Sequence, residues 1–414
     1  MSAKEYHPRQ LEVIDTTLRE GMQSPLIDDV NKYMLSPEER MELMRAQMEY
    51  GIRFFEVFSP VVNDDAGQTI ELFHETRSKF FEQTGQPVFL LAHVRCQPGD
   101  VEKALNAGVD GLNMYMGTSP DSQAYGHKKT LKEVIPMAES LLADIRRNHP
   151  EILLRFSGED AFRTELSDLF RVYDKIVAYI DRLGTPDTVG IAKPGIVFQR
   201  VSDLRNRYPN TPLEGHFHDD RGYTLINAMA AIEAGMQYMQ ATILGVGERS
   251  GISSTTGLLF NMYLDNPSYV DGYQIEQSYP LNVLFASILG IQVPSKEPVS
   301  LTNRTHSAGV HTSAVLKGST VYEAHDLQRF GVTEQRLLLG PLSGYHIIQY
   351  YLTHVLNYTG VNDEHAKQIT ATFKQRASEL KDGTTPTQLL EDIAKHARLG
   401  RIDRPVSHEE VLYP

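Results

Sequence analysis

A single cysteine, Cys96, rules out an intrachain disulfide and fits a reducing compartment, so the thiol reads as an ordinary buried one. No apolar run reaches the roughly eighteen residues that a membrane helix needs. The N-terminal MSAKEYHPRQ lacks the apolar core of a signal peptide. A long basic run is missing too, and a formal charge of -13 carried on mixed acidic and basic residues excludes a nucleic-acid or anionic-membrane surface as the default partner. These absences leave a soluble, cytoplasmic protein acting on small molecules. With 414 residues and 41% hydrophobic content, the chain can bury one large domain or two ordinary ones.

What is present is an alternation of short β-rich runs with amphipathic helical ones. Strands are expected at LEVIDTT (11–17), FFEVFSP (54–60), VFLLAHV (88–94), GLNMYMG (111–117) and ILLRFSG (152–158). Three more follow at TVGIA (188–192), LEGHFHD (213–219) and YMQATILG (238–245). Between them lie segments long enough for crossover helices, with apolar faces such as Leu166, Leu169, Tyr173 and Ile176. Eight such units across about 250 residues predict a TIM (β/α)8 barrel rather than an open doubly wound sheet. After about residue 265, DNPSYVDGY and VPSKEPVS read as a linker over 266–300. A His-, Ser- and Gly-rich lid segment (301–345) and a mainly helical C-terminal subdomain (346–414) follow it.

In a barrel, the ends of the strands share one bowl, and chemically loaded residues fall there. His216 and His218 lie two apart on one strand face, where two imidazoles can converge on a divalent ion, with Asp219 and Asp220 beyond them as orienters. H-x-H alone equally suits two polar residues at a strand end. The argument for a metal comes from the other strand ends: Arg19, Glu20 and Gln23 after the first, His93 and Arg95 at the third. Arg155, Ser157, Glu159 and Asp160 end the fifth strand, and Asp187 and Thr188 open the sixth. The run GVGERSG (245–251) is not a dinucleotide fingerprint; its glycines suit a tight turn, with Glu248 and Arg249 paired locally.

Six stretches in order, DTTLREGMQSP, RFSGEDAFRTEL, DTVGIA, GHFHDDRGYTLINAMAAIEAG, ILGVGERSGI and HSAGVHTSAVLKGSTVYE, resemble the homocitrate synthase and 2-isopropylmalate synthase family over roughly residues 11–350. The resemblance implies an acyl-CoA-dependent enzyme that condenses acetyl-CoA with a 2-oxo acid around one divalent cation, magnesium, manganese or zinc. It makes Glu20, His216 and His218 the metal ligands and sets Arg19 beside the substrate oxygens, with Gln23 near them. His93, Arg155, Ser157 and Thr188 would contact the 2-oxo acid, and Glu159, His311 and Tyr322 would form the acid-base set. It also implies a homodimer in which the post-barrel lid of one chain covers the barrel of the other.

The chain departs from that pattern in places. Met22 stands where an acidic residue is usual, Asp219 replaces an asparagine, and Lys193 replaces a threonine. Asn113 stands where lysine-inhibited homocitrate synthases carry an aspartate, so lysine inhibition is not expected. The chain ends before the regulatory domain that leucine-inhibited relatives append. Arg155 and His93 favour a substrate with a second carboxylate: 2-oxoglutarate first, then oxaloacetate, with isopropylmalate and citramalate formation behind. A 3-hydroxy-3-methylglutaryl-CoA lyase-type activity ranks lower because GVGERSG has no cysteine, and a non-catalytic binding subunit lower still.

Overall fold

Alternate residues along the strands face two different environments, and that alternation builds the architecture. In the computed structural model, which describes residues 2–24, 35–59, 65–380, 383–397, 399–402 and 412–413, eight parallel strands close into a barrel. They are β1 (Glu12–Asp15), β2 (Phe54–Phe58), β3 (Phe89–Arg95), β4 (Gly111–Gly117), β5 (Leu153–Glu159), β6 (Arg182–Asp187), β7 (Leu213–Phe217) and β8 (Tyr238–Ala241). Closure comes from β1 pairing with β8, Glu12 opposite Tyr238 and Ile14 opposite Gln240.

Outward residues such as Phe55, Val57, Leu90, Leu112, Phe156 and Met239 pack into one large apolar layer beneath the surrounding helices. Those helices are α1 (Pro37–Tyr50), α2 (Asp65–Thr84), α3 (Pro98–Asn106), α4 (Leu131–Asn148), α5 (Leu166–Ile176), α6 (Pro194–Arg207), α7 (Thr224–Glu233) and α8 (Thr255–Asp265). The first starts where the sequence signals it: Ser36 caps it, and Glu39 reaches back to the Ser36 amide. Inward residues Ile14, Phe54, Phe89, Leu91, Leu153 and Tyr238 form a small apolar floor. Above that floor the inward positions turn polar: Glu56, His93, Asn113, Arg155, Glu214, His216 and Gln240 are the next inward residues along their strands.

Two expectations are corrected. The sixth strand is RLGTPD, not TVGIA, which forms the loop after it. Arg182, Gly184 and Pro186 face the barrel interior, where charge and a missing side chain serve packing, so the strand lacks an apolar signature. Asp187 and Thr188 therefore close the sixth strand instead of opening it. The stretch read as a linker is largely helical: α9 (Ser278–Ile288) buries Leu281, Phe285 and Ala286 in the same apolar layer as the barrel helices. The compact unit that holds the barrel runs to Glu297. Pro60, the last residue of the expected second strand, lies outside the described residues.

Residues 298–414 form a second compact unit. It contains β9 (Thr305–His306), α10 (Gly309–Val315), β10 (Gln335–Leu337), α11 (Tyr345–Tyr350), β11 (Tyr358–Thr359), α12 (Asp363–Ala377), α13 (Pro386–Lys395), β12 (Gly400–Arg401) and β13 (Leu412–Tyr413). Its own core gathers Leu337, Ile348, Tyr351, Leu352, Phe373 and Leu390. No helix among the described residues is long and apolar enough to cross a membrane.

Candidate active site

His216 on β7 and His218 just past its end are set by their neighbours before any ligand arrives. His216 Nδ1 lies 2.7 Å from Gln240 Oε1. Because the Gln240 amide nitrogen already donates to Glu214 at 2.9 Å, its oxygen faces His216 and makes Nδ1 the protonated nitrogen. The lone pair is left on Nε2, which sits 3.1 Å from His218 Nε2. Glu20, just beyond β1, brings Oε1 to 4.0 Å from His218 Nε2. Among the described residues, these three offer ligand atoms that all lie within 4.8 Å of one another.

The charge states suit a cation. Burial would raise the Glu20 carboxyl, but Arg19, both histidines and the Glu248 amide outweigh it and bring it down to about 2. Burial, reinforced by His218, pushes His216 down to about 3, and burial likewise lowers His218. An ionised carboxylate beside two neutral imidazoles is the donor set of a divalent metal. The residues fit the metal.

Ten of the expected barrel residues line one cavity of about 240 Å³: Arg19, Glu20 and Gln23 from the first strand end, His93 from β3, Arg155, Ser157 and Glu159 from β5, Thr188 after β6, and the two histidines. Arg95, Asp160 and Asp187 do not: Arg95 pairs with Asp100, Asp160 with Arg163, and Asp187 accepts the Ile191 and Ala192 amides. The family model described as HMGL-like matches residues 10–279, which contain this entire cavity.

The chain belongs to the HMGL-like family.

A second family model, described as homocitrate synthase post-HMGL domain-like, matches residues 299–381. The cytosolic homocitrate synthase isozyme of Saccharomyces cerevisiae is 31% identical over 370 residues, 88% of this chain and 81% of the yeast protein. A homocitrate synthase of Pyrococcus abyssi is 31% identical over 342 residues, 82% of this chain and 89% of its own. A 2-isopropylmalate synthase of Methanocaldococcus jannaschii is 27% identical over 410 residues, 98% of this chain and 75% of that protein. Among solved structures, the HMG-CoA lyase of Bacillus subtilis superposes with a TM-score of 0.58 at 18% identity. It covers 70% of this chain and 97% of the lyase, and at that identity the likeness is one of fold.

Several residues of this HMGL-like barrel escape sequence reasoning. Glu56, fully buried on β2, pairs with Arg19 Nε at 2.7 Å and accepts a hydrogen bond from Asn113. Burial opposes its charge, yet Arg19 and His93 hold the carboxyl well below its ordinary range. Tyr115 stacks on His93 with centroids 4.3 Å apart. Glu214 pairs with Arg155 at 3.0 Å and with Arg182 at 3.4 Å. Gly184 completes the arrangement: a Cβ there would lie 2.5 Å from Arg155 Nε and 2.6 Å from its Cζ, so the guanidinium rests on bare backbone. A Glu or Gln at an inward position of an apolar strand is the signal that marks such residues.

The loop after β8 is a turn, as its glycines suggest. Gly251 has φ +87, and a Cβ on it would meet the Gly245 oxygen at 2.0 Å. The expected ion pair is different: Arg249 binds Asp220 at 2.7 Å and the Thr188 carbonyl at 2.7 Å, tying together the loops after β6, β7 and β8. Glu248 contributes its amide, which donates to Glu20 Oε1 at 3.1 Å. Asp219 and Asp220 are therefore not partners of the histidines; Asp219 accepts the Thr224 amide at the start of α7. Lys193 is exposed at the start of α6. His311 and Tyr322 belong to the second unit, where their rings stack 3.8 Å apart and 17° from parallel on its surface.

Proposed function

We propose that the protein is an acyltransferase that condenses acetyl-CoA with a 2-oxo acid in a metal-dependent Claisen-type reaction, with 2-oxoglutarate as the acid and homocitrate as the product. The observation that carries this reading is one cavity holding both the Glu20, His216 and His218 donor set and, from β5 and the loop after β6, Arg155, Ser157 and Thr188. The first set suits the keto acid end of a substrate and the second suits a distal carboxylate. When bound, a divalent cation would polarise the ketone as a Lewis acid; magnesium, manganese and zinc all accept these ligands.

The chain's own groups supply the rest. Arg19 is held by Glu20 at 2.8 Å and Glu56 at 2.7 Å. Its Nη2 is buried and has no hydrogen-bond partner among the described residues. That spare donor suits the negative oxygen that forms when the carbonyl carbon is attacked. Glu159 ends β5, and burial together with Asp160 raises its carboxyl, which lets it hold a proton nearer neutral pH. A second cavity, of about 440 Å³, shares Tyr115 and Glu159 with the first and carries Lys129 and His127 in its wall; we assign it to the arm of acetyl-CoA. His311, with Tyr322 and Glu159 as relays, removes a proton from the acetyl group, the resulting enolate forms the carbon–carbon bond, and hydrolysis of the thioester releases free coenzyme A thiol. His311 and Tyr322 reach the barrel mouth of a partner subunit in a two-fold homodimer.

Thiol release from acetyl-CoA across a panel of 2-oxo acids tests the activity. Release with 2-oxoglutarate ahead of oxaloacetate, 2-oxoisovalerate and pyruvate is expected; cleavage of 3-hydroxy-3-methylglutaryl-CoA without any condensation would move the chain to the lyases. Mixing inactive His311→Ala and His216→Ala proteins under subunit exchange tests the shared site: recovered activity is expected, and its absence means each site is built from a single chain.

A further inference from the structure

The buried ion network of the second unit lies directly behind its exposed ring pair. Tyr322 and Glu323 are consecutive residues on a turn in which both of their amides donate to the Ser319 carbonyl, at 3.1 and 2.9 Å. They point in opposite senses: the Tyr322 residue is 41% exposed, and the Glu323 side chain is 8% exposed. A carboxylate taken out of water costs several kcal/mol unless it is paired, and this one is paired three ways. Arg304 Nε donates to Oε2 at 3.2 Å, His306 Nε2 contacts Oε1 at 3.1 Å, and the Gln335 amide donates to the same oxygen. The partners come from three segments, since Arg304 ends one turn, His306 lies on β9 and Gln335 opens β10. His306 is also the edge-on neighbour of His311, with centroids 6.3 Å apart.

We propose that Glu323 is a positioning residue whose anchored carboxylate fixes the Tyr322 turn from beneath and, through His306, the rear of His311, so that the two rings are held face to face before substrate arrives. Swinging Tyr322 away from His311 would require the adjacent residue to leave charge-assisted hydrogen bonds, which are about twice as strong as neutral ones. Both rings are exposed, and their order is supplied by the buried anion next door in sequence. The catalytic consequence rests on the proposal that His311 and Tyr322 do the acid-base work; the geometric claim does not.

The test combines turnover with a signal from the ring pair. In the full-length enzyme saturated with manganese, Glu323→Ala is expected to lower kcat for thiol release by about ten- to a hundredfold, the scale of a misplacement of an ångström or so. The KM for 2-oxoglutarate and the Kd for manganese, which report on the barrel, stay within about twofold. Glu323→Gln, which keeps an acceptor oxygen, should recover part of kcat. On the small residual turnover that His311→Ala leaves at high enzyme concentration, Glu323→Ala should cost nothing further. An equal additional loss there, or a parallel fall in metal affinity, would show a general structural role and overturn the proposal. In histidine-labelled protein, the His311 ring signals should lose the upfield shift that stacking on Tyr322 imposes when Glu323 becomes Ala, and keep part of it when Glu323 becomes Gln; unchanged signals in the Ala protein overturn the geometric claim whatever the kinetics. Full activity of His311→Ala and Tyr322→Phe would instead refute the acid-base assignment, leaving the ring signals to decide the positioning.

Discussion

His216 donates from Nδ1 to Gln240 Oε1 over 2.7 Å, and this one bond decides which nitrogen of the histidine can bind a cation. Gln240 can play that part because its amide is anchored on Glu214 at 2.9 Å, so its oxygen has one direction left to face. Gln240→Leu removes the acceptor while keeping similar bulk, and loss of such an outer partner costs about ten- to a hundredfold in metal affinity. A manganese titration of the variant checks this; unchanged affinity would mean that the tautomer is set elsewhere.

Asp15 makes the stability of the barrel depend on pH. Burial raises its carboxyl to about 6 from an ordinary 3.8, against the pull of two hydrogen bonds from Thr17 and one from Gln47. The folded state thus binds this proton more tightly than the unfolded chain does. The contribution is fully present below about pH 3.8 and is lost as pH rises through 6, so on this account the barrel is about 3 kcal/mol less stable at neutral pH than in acid. In Asp15→Asn the fixed cost of changing hydrogen bonds does not vary with pH, but this proton linkage is gone. Denaturant unfolding between pH 4 and 7 should therefore show the variant gaining on the parent by about that amount. Parallel stability curves would contradict the assignment.

Arg155 and Gly184 should fail together if the guanidinium selects a dicarboxylic acid. Arg155→Ala is expected to lose about 2 to 4 kcal/mol of kcat/KM on 2-oxoglutarate, the size of a charge-assisted bidentate contact, and far less on pyruvate. Gly184→Ala keeps every charge but puts a methyl group where the guanidinium lies, and should show the same selectivity at about tenfold. Equal losses on both acids would make Arg155 a partner of Glu214 alone.

Much of this was legible along the chain. The outward faces of the strands are apolar and the crossover helices amphipathic, which is enough to draw the barrel. His216 and His218 announce themselves through their two-residue spacing, and Glu20 and Arg155 through their places at strand ends. RLGTPD was not legible as a strand, since an arginine, a glycine and a proline signal a turn unless the surface they face is itself charged. Glu56, Glu214 and Gln240 were hidden for a related reason: each is one polar residue in an apolar strand, and its meaning lies in partners on other strands. The Pro- and Ser-rich flanks of α9 similarly concealed Leu281 and Phe285. Glu323 sits beside Tyr322 in the chain, but its three anchors lie 19, 17 and 12 residues away.

The most direct measurement is metal-dependent turnover. Chelated, metal-free protein should release no thiol from acetyl-CoA in the presence of 2-oxoglutarate, and adding manganese or magnesium should restore release with homocitrate as the product seen by mass spectrometry. His218→Ala should not be restored at the same metal concentration. Full activity after exhaustive chelation, or restored thiol release without a condensation product, would contradict a metal-dependent condensing enzyme built on Glu20, His216 and His218.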